Sequence, residues 1–450
     1  MSRVPQPAPQ RAAVTSPDAE VLVEVDHLST HFPVRAGLFG RRQALAVRAV
    51  DDITFDIRQG EVFGLVGESG SGKTTLGRSL LQLVKPTSGA VRYRGRDLVA
   101  LSERRMRPLR RELALIFQDP NASLNPAMTI VQGVGHPLRI HGLASSRAEA
   151  RQGVAEMLVR VGLSPPEAFL DKYPEDVSGG QKQRLVIARA LITNPSFVVA
   201  DEPVAALDMS VRAKVLELLL DLKRDLSLTY LFITHDLATA KFLCDRIGIL
   251  YLGNMVERGP ADALFADPTH PYTRSLLDAV PVPDPSRRGR ERRLPSGEVP
   301  DALDPPAGCR FHPRCPEAFA PCGWEGADLV DLLERRWSET DVDTFEAELA
   351  ATGPLDSIQI SEREVRFPQG DAGRLVPLLE RLRRLEAGRV FSAVTDVTTE
   401  DGHVLVQLGE GVGTGPSTGQ AGAGGMPSAR GRAAPSLIAG QRRRSRYHPG

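Results

Sequence analysis

The segment Gly67–Thr75 reads GESGSGKTT and follows directly on the apolar run Val62-Phe63-Gly64-Leu65-Val66. It matches G-x-x-x-x-G-K-[ST], a pattern that requires a buried strand before it and a helix after it. Gly67, Gly70 and Gly72 let the backbone curl so that the N–H groups of Glu68, Ser69, Ser71 and their neighbours line a concave anion site. Lys73 can reach β- and γ-phosphates, and the Thr74 hydroxyl can hold Mg²⁺. The following helix, expected over Thr75–Leu83, aims its positive end at the same anion. The loop therefore predicts nucleoside triphosphate binding.

The 450-residue chain is long enough for two or three domains. Lys plus Arg and Asp plus Glu number 56 each, so no bulk charge points to nucleic acid, and none is expected as a partner. No run approaches the roughly eighteen apolar residues that a membrane helix needs. The opening MSRVPQPAPQ has no apolar signal core, so a cytoplasmic chain is expected, with any membrane role supplied by partners.

Taken in order, residues 1–20 are Pro-, Ala- and Gln-rich and are expected to be disordered. VLVEV from Val21 alternates as a strand, Leu28–Val47 reads as a loop-rich excursion, and Ile53–Ile57 alternates again before Gln59-Gly60 turns into the strand feeding the loop. Arg104–Arg111 is strongly basic and reads as a solvated helix face. Leu113–Phe117 is a buried strand ending at Gln118, and Ala148–Val161 has helical spacing. Val177-Ser178-Gly179-Gly180-Gln181 opens a helical run through Leu191. Phe197–Ala200 is an apolar strand whose end carries Asp201 and Glu202. Ala206-Leu207-Asp208 precedes a helix over about 211–225, and Leu231–Thr234 ends at His235. Strands alternating with helices, with chemistry at strand C-termini, indicate a doubly wound α/β sheet.

Alone, the carboxylate pair reads equally as a helix cap, and the histidine as structural. Their order changes this: phosphate loop, strand-Gln118, SGGQ, strand-Asp201-Glu202, ALD, strand-His235. The set resembles the ATP-binding cassette (ABC) family over residues 21 to about 260. That resemblance implies a P-loop NTPase cassette with a doubly wound core sheet, an N-terminal antiparallel β subdomain and an inserted helical subdomain. It implies ATP held by Gly67–Thr75, and Mg²⁺ held by Thr74 and Gln118, with Asp201 bonded to its shell. Glu202 would be general base on the attacking water, His235 the switch histidine, and Ser178, Gly179, Gly180 and Gln181 the signature that closes over ATP in the opposite subunit. Phe32 is the candidate adenine-stacking aromatic, with Phe39 as the alternative. Ala206 departs from the serine usual before Leu-Asp, which bears on coupling across the dimer rather than on nucleotide binding.

Three further stretches, FQDPNASLNP at 117–126, HPYT at 270–273 and GCRFHPRCP at 308–316, resemble ATPase subunits of oligopeptide and dipeptide importers, a group that also handles nickel chelates. GESGSGKTTLG with KPTSG resembles the second of their two paired ATPases. The implied partners are two transmembrane permeases, a second cassette and an extracytoplasmic solute-binding protein, with the chain on the cytoplasmic face of the membrane. The resemblance also makes Cys309, Cys315 and Cys322 candidate ligands of a [4Fe–4S] cluster. No cysteine follows Cys322, and Cys244 reads as a buried apolar residue, so a site with a non-cysteine ligand and a lost site both stand open.

The expected domains are the cassette at 21–265, a cysteine-bearing region at 266–327, a small α+β appendage at 328–408 and a disordered basic tail at 409–450. The appendage is read as helices at 329–337, 342–351 and 374–386 with strands at 356–367, 390–397 and 403–408. The competing class is a soluble ABC ATPase of translation or DNA repair. Translation-type members carry two cassettes and repair-type members a long coiled coil, and neither feature is present in the sequence. A non-catalytic regulatory cassette is disfavoured by Lys73, Asp201, Glu202 and His235.

Overall fold

The computed structural model describes residues 19–34, 46–279, 295, 297–385, 390–400 and 402–409. Phe39, the N-terminal stretch to residue 18 and the basic tail beyond 409 lie outside the described residues. The chain divides into two compact units, residues 1–294 with 300–305, and residues 295–299 with 306–450. The division runs through the expected 266–327 region and groups the three clustered cysteines with the second unit.

In the first unit, β1 (Val21–Pro33) and β2 (Ala46–Arg58) pair antiparallel, with Val25 opposite Phe55 and Phe32 opposite Val47. Of the excursion expected from Leu28, residues 28–33 and 46–47 are therefore strand. Its alternation is hidden by register shifts on both sides of Leu28 and by His27, which sits at φ 45°. The phosphate loop joins β3 (Val62–Val66) to α1 (Lys73–Leu80), two residues earlier than the expected start. Then come β4 (Ser88–Tyr93), β5 (Arg96–Asp97) and the short α2 (Glu103–Met106). The first sheet has the order β2-β1-β4-β5.

After β6 (Leu113–Ile116) the chain turns helical through α3 (Pro120–Ser123), α4 (Ile130–Ile140), α5 (Arg147–Arg160), α6 (Glu167–Leu170) and α7 (Gly179–Leu191). Thr129 and Gln132 cap α4 reciprocally, and the Ser146 hydroxyl accepts the Glu149 N–H at the start of α5. The chain then alternates through β7 (Phe197–Asp201), α8 (Met209–Leu226), β8 (Thr229–Thr234), α9 (Leu237–Leu243), β9 (Arg246–Tyr251) and β10 (Asn254–Pro260). It reaches α10 (Ala261–Ala266) and α11 (Pro271–Ala279). The core sheet has the order β10-β9-β3-β8-β7-β6. Its strands are parallel except for β10 at the edge. β3, β7 and β8 are buried along their whole length, as a sheet covered on both faces requires. One apolar core joins Val25, Phe55 and Val91 of the first sheet to Phe63, Leu76 and Ile233 around the second.

The second unit carries α12 (Gly326–Glu339), α13 (Val342–Thr352), β11 (Gln359–Ile360), β12 (Glu364–Phe367), α14 (Ala372–Leu385), β13 (Val394–Glu400) and β14 (His403–Leu408). Its antiparallel sheet, β11-β12-β14-β13, packs Val365, Phe367 and Val406 against Leu329, Leu333 and Leu379 of the helices. The expected strand from Val390 begins instead with a 3₁₀ turn at Val390–Ser392, which buries Val390 and Phe391.

Glu348 on α13 joins the three helices of this unit. Its side chain is 3% exposed and accepts from Arg336 and Trp337 on α12 and from Arg381 on α14, at 2.7–3.2 Å. Removing the carboxylate leaves two guanidinium groups facing an apolar hole, although both reach solvent, which limits the cost. Glu348→Ala should lower the stability of this unit by about 2–4 kcal/mol. The shift is read as an earlier urea transition in tryptophan fluorescence, and an unmoved midpoint would contradict this role.

Candidate functional site

Parallel pairing sets the site. Val66, the last residue of β3, lies opposite Thr234 at the end of β8, and Ile233 lies opposite Asp201 at the end of β7. The residues that follow these three strands, the phosphate loop, Glu202 and His235, therefore emerge at one edge of the sheet.

The loop is held by close backbone approach. Gly72 sits at φ 101°, and a Cβ there would lie 2.0 Å from the Ala49 carbonyl oxygen. A Cβ on Gly67 would lie 2.2 Å from the carbonyl of Leu250. The Ser71 carbonyl accepts from Gly253 N–H at 3.0 Å, and Ser69 and Gly70 face solvent. Lys73 is 5% exposed, with Nζ donating to the carbonyls of Gly67 (2.8 Å) and Glu68 (2.7 Å) and to the Ser71 hydroxyl (3.4 Å). Burial holds this amine below the usual lysine range, against the pull of Glu202, Asp201 and Glu68. Thr74 and Thr75 open α1, which begins at the mouth of the loop.

Thr74 Oγ1 donates to Asp201 Oδ1 at 2.9 Å. Asp201 is 2% exposed, and burial raises its carboxyl above the usual range although Thr74, Arg78 and Lys73 favour the anion. Glu202 takes φ 46°, a left-handed conformation rare for a side-chain-bearing residue. Its N–H donates to the Ile233 carbonyl at 3.0 Å, continuing the β7–β8 ladder while the chain turns. Its Oε2 accepts Gln118 Nε2 at 3.3 Å and lies 3.1 Å from His235 Nδ1. The strand ends thus form two groups, Lys73–Thr74–Asp201 and Gln118–Glu202–His235. In the first, Lys73 and Asp201 are buried and Thr74 is half-buried, whereas His235 of the second is 60% exposed. The hydroxyl, amide and carboxylate oxygens of Thr74, Gln118 and Asp201 are hard donors of the kind Mg²⁺ takes, so the residues fit that ion.

Ser178 caps α7, accepting Gln181 N–H, while the Gln181 side chain returns to the Ser178 N–H at 2.9 Å. Ser178 and Gly179 are exposed, and Gly180 lies against α8, where a Cβ would stand 2.9 Å from Val211. Phe32 is 42% exposed near the end of β1. α7 is tied to α3 through Lys182, which donates to Asn121 Oδ1 at 3.0 Å, and through Arg189, which donates to the Ser123 carbonyl. None of these ties is readable as a pattern. The stretch FQDPNASLNP marks the region without showing that it is bonded to α7.

Among the described residues no group of three or more His, Cys, Asp or Glu side chains is arranged to hold a metal ion. Cys315 and Cys322 instead pack against the apolar core of the second unit. Burial pushes the Cys315 thiol up to about 11 and raises Cys309. The Cys309 N–H donates to the Cys322 carbonyl, and the buried His312 ring stacks edge-on against Trp324 at 4.4 Å. The three thiols are one short of the four thiolates that a [4Fe–4S] cluster normally takes, and nothing among the described residues supports the cluster that the resemblance implied. Cys244 is buried beside Gly64, consistent with the apolar reading.

The family model described as ABC transporter matches residues 50–205, and the model described as oligopeptide/dipeptide transporter, C-terminal region, matches residues 256–322. The chain is 50% identical over 317 residues to YkfD of Bacillus subtilis, covering 70% of this chain and 94% of that protein. It belongs to the ABC transporter ATPase family. The chain is also 44% identical over 313 residues to the oligopeptide transport ATP-binding protein AppF of the same species, covering 69% of this chain and 93% of that one. A solved dimeric bacterial ABC transporter cassette is 30% identical over 53% of this chain and 98% of its own, with a TM-score of 0.47.

The buried Asp201 makes one pH-dependent prediction for this ATPase. Because its folded-state pKa lies above the unfolded one, its ionised form costs stability at neutral pH. That cost disappears as pH falls through the folded pKa. Asp201→Asn should therefore unfold at a higher temperature than the parent at pH 7.5 without nucleotide. The advantage should shrink on acidification, and thermal scans across pH that show it growing instead would contradict the burial argument.

Proposed function

We propose that this chain is the ATP-hydrolysing, energy-coupling subunit of an ABC importer for oligopeptides or dipeptides. The observation that carries the reading is the pairing of two carboxylates at one strand end. Asp201 is buried on Thr74, and Glu202 is turned the other way onto Gln118 and His235. One carboxylate serves ion binding and the other serves proton transfer.

Lys73, inside the curl of the loop, supplies positive charge to the β- and γ-phosphates, and the glycine-rich backbone donates N–H groups to them. Phe32 offers its exposed ring to the adenine. Thr74, Gln118 and Asp201 would hold Mg²⁺ and its shell, and the ion would neutralise charge on the phosphates. Glu202 takes a proton from the attacking water as the water oxygen bonds to the γ-phosphorus and the bond to the ADP oxygen breaks. His235, facing the same carboxylate oxygen, orients that water and the γ-phosphate. Ser178 to Gln181, at the N-terminus of α7 with Ser178 and Gly179 exposed, serve the nucleotide of a second cassette.

The similarity to AppF and the match to the oligopeptide/dipeptide region support peptide import. Among the described residues no helix is long and apolar enough to cross a membrane. The reading therefore requires two transmembrane permeases, a second ATPase subunit and an extracytoplasmic solute-binding protein, with this chain at the cytoplasmic face of the membrane. ATP binding closes the cassette pair and drives the permeases, and hydrolysis reopens it.

Glu202→Gln keeps the shape and removes the base. Turnover should fall by about 10²-fold or more while ATP binding is retained, measured as phosphate release alongside equilibrium nucleotide binding. Near-parental turnover would remove Glu202 from the mechanism. Co-purification with permease subunits, and loss of peptide uptake when the chain is deleted, test the transport assignment. Unimpaired uptake would reject it.

A further inference from the structure

The HPYT segment meets the phosphate loop. The Tyr272 hydroxyl accepts the backbone N–H of Glu68 at 3.1 Å, and the carbonyl of the same residue accepts Lys73 Nζ at 2.7 Å. Residue 68 is thus held on one side by a side chain from α11 and on the other by the lysine expected to grip phosphate. We infer that Tyr272 is a positioning residue for nucleotide binding, fixing the Glu68 peptide and, through it, the path of the loop and the placement of Lys73. The inference rests on the ATP-binding reading above and deepens it.

The support behind Tyr272 is rigid. Its side chain is 0% exposed and meets the Tyr251 ring edge-on at 4.7 Å and 60°. Tyr251 ends β9, and the backbone there backs the loop at two further points: the Leu250 carbonyl blocks any side chain at position 67, and Gly253 N–H donates to the Ser71 carbonyl. On its other flank, the Tyr272 N–H donates to His270 Nδ1 at 3.1 Å. Residues 269 and 270 are pinned to β10 through Glu257, which accepts Thr269 N–H at 2.8 Å, the Thr269 hydroxyl at 2.8 Å and His270 N–H at 3.0 Å. A continuous line of bonded groups therefore runs from Glu257 through His270 and Tyr272 to Glu68. A loop that must present several N–H groups to one anion loses affinity when its path is no longer fixed in advance.

Tyr272→Phe in the full-length chain removes the hydroxyl and keeps the ring. It should weaken equilibrium binding of MgATP and MgADP by about three- to tenfold. The melting temperature of the nucleotide-free protein should move little. Hydrogen exchange of the nucleotide-free chain should show faster exchange confined to Glu68–Ser71, a readout that general loosening of α11 would not produce selectively. If the parent binds MgATP while Tyr272→Phe binds equally well with unchanged exchange over 68–71, the positioning role fails and the ATPase reading stands. A parent that does not bind MgATP overturns both.

Discussion

Everything at the candidate site depends on the parallel ladder β7–β8–β3. Parallel strands end together, so their C-terminal residues share one edge without any sequence signal bringing them there. Val66, Thr234 and Asp201 are within one register step of each other across three strands far apart in the chain. That registration places Lys73, Asp201, Glu202 and His235 in one neighbourhood. The left-handed turn at Glu202 then sends two adjacent carboxylates to different partners, Asp201 to Thr74 and Glu202 to His235. Such strain persists only where surrounding bonds over-determine it, and here the Glu202 N–H is locked to the Ile233 carbonyl.

The loop shows the same dependence on distant backbone. Its glycines are needed less for flexibility than for contact, because Gly67 and Gly72 lie against carbonyls of Leu250 and Ala49. The N-terminal sheet and the end of β9 therefore form the walls of the phosphate cradle. Substitution at either glycine would have to displace main chain rather than side chain.

Much of this was legible in the sequence, for identifiable reasons. The strands β3, β7 and β8 carry continuous apolar runs, and β7 and β8 end in polar residues, Asp201 and Thr234, that announce the sheet edge. The SGGQ stretch is a helix start by its capping residues alone. The course of β1 beyond Leu28 was not legible, because bulges and the left-handed His27 break the alternation on which strand reading relies. HPYT read as a family marker and its contact with Glu68 stayed hidden, since a bond spanning 204 residues leaves no local pattern. The three cysteines suggested a cluster by type and proximity, yet the packing of Cys315 and Cys322 against the core around Trp324 is something composition does not display.

On the proposed reading this chain supplies one wall of an ATP site whose other wall is the signature of a second cassette. The most direct measurement is a cryo-EM structure of the ATP-bound complex, prepared with Glu202→Gln to hold the nucleotide. The γ-phosphate should lie between Lys73 of this chain and the signature serine of the opposing cassette, within hydrogen-bond distance of both. Nucleotide enclosed by this chain alone, or bound with the Ser178–Gln181 edge left facing solvent, would contradict it.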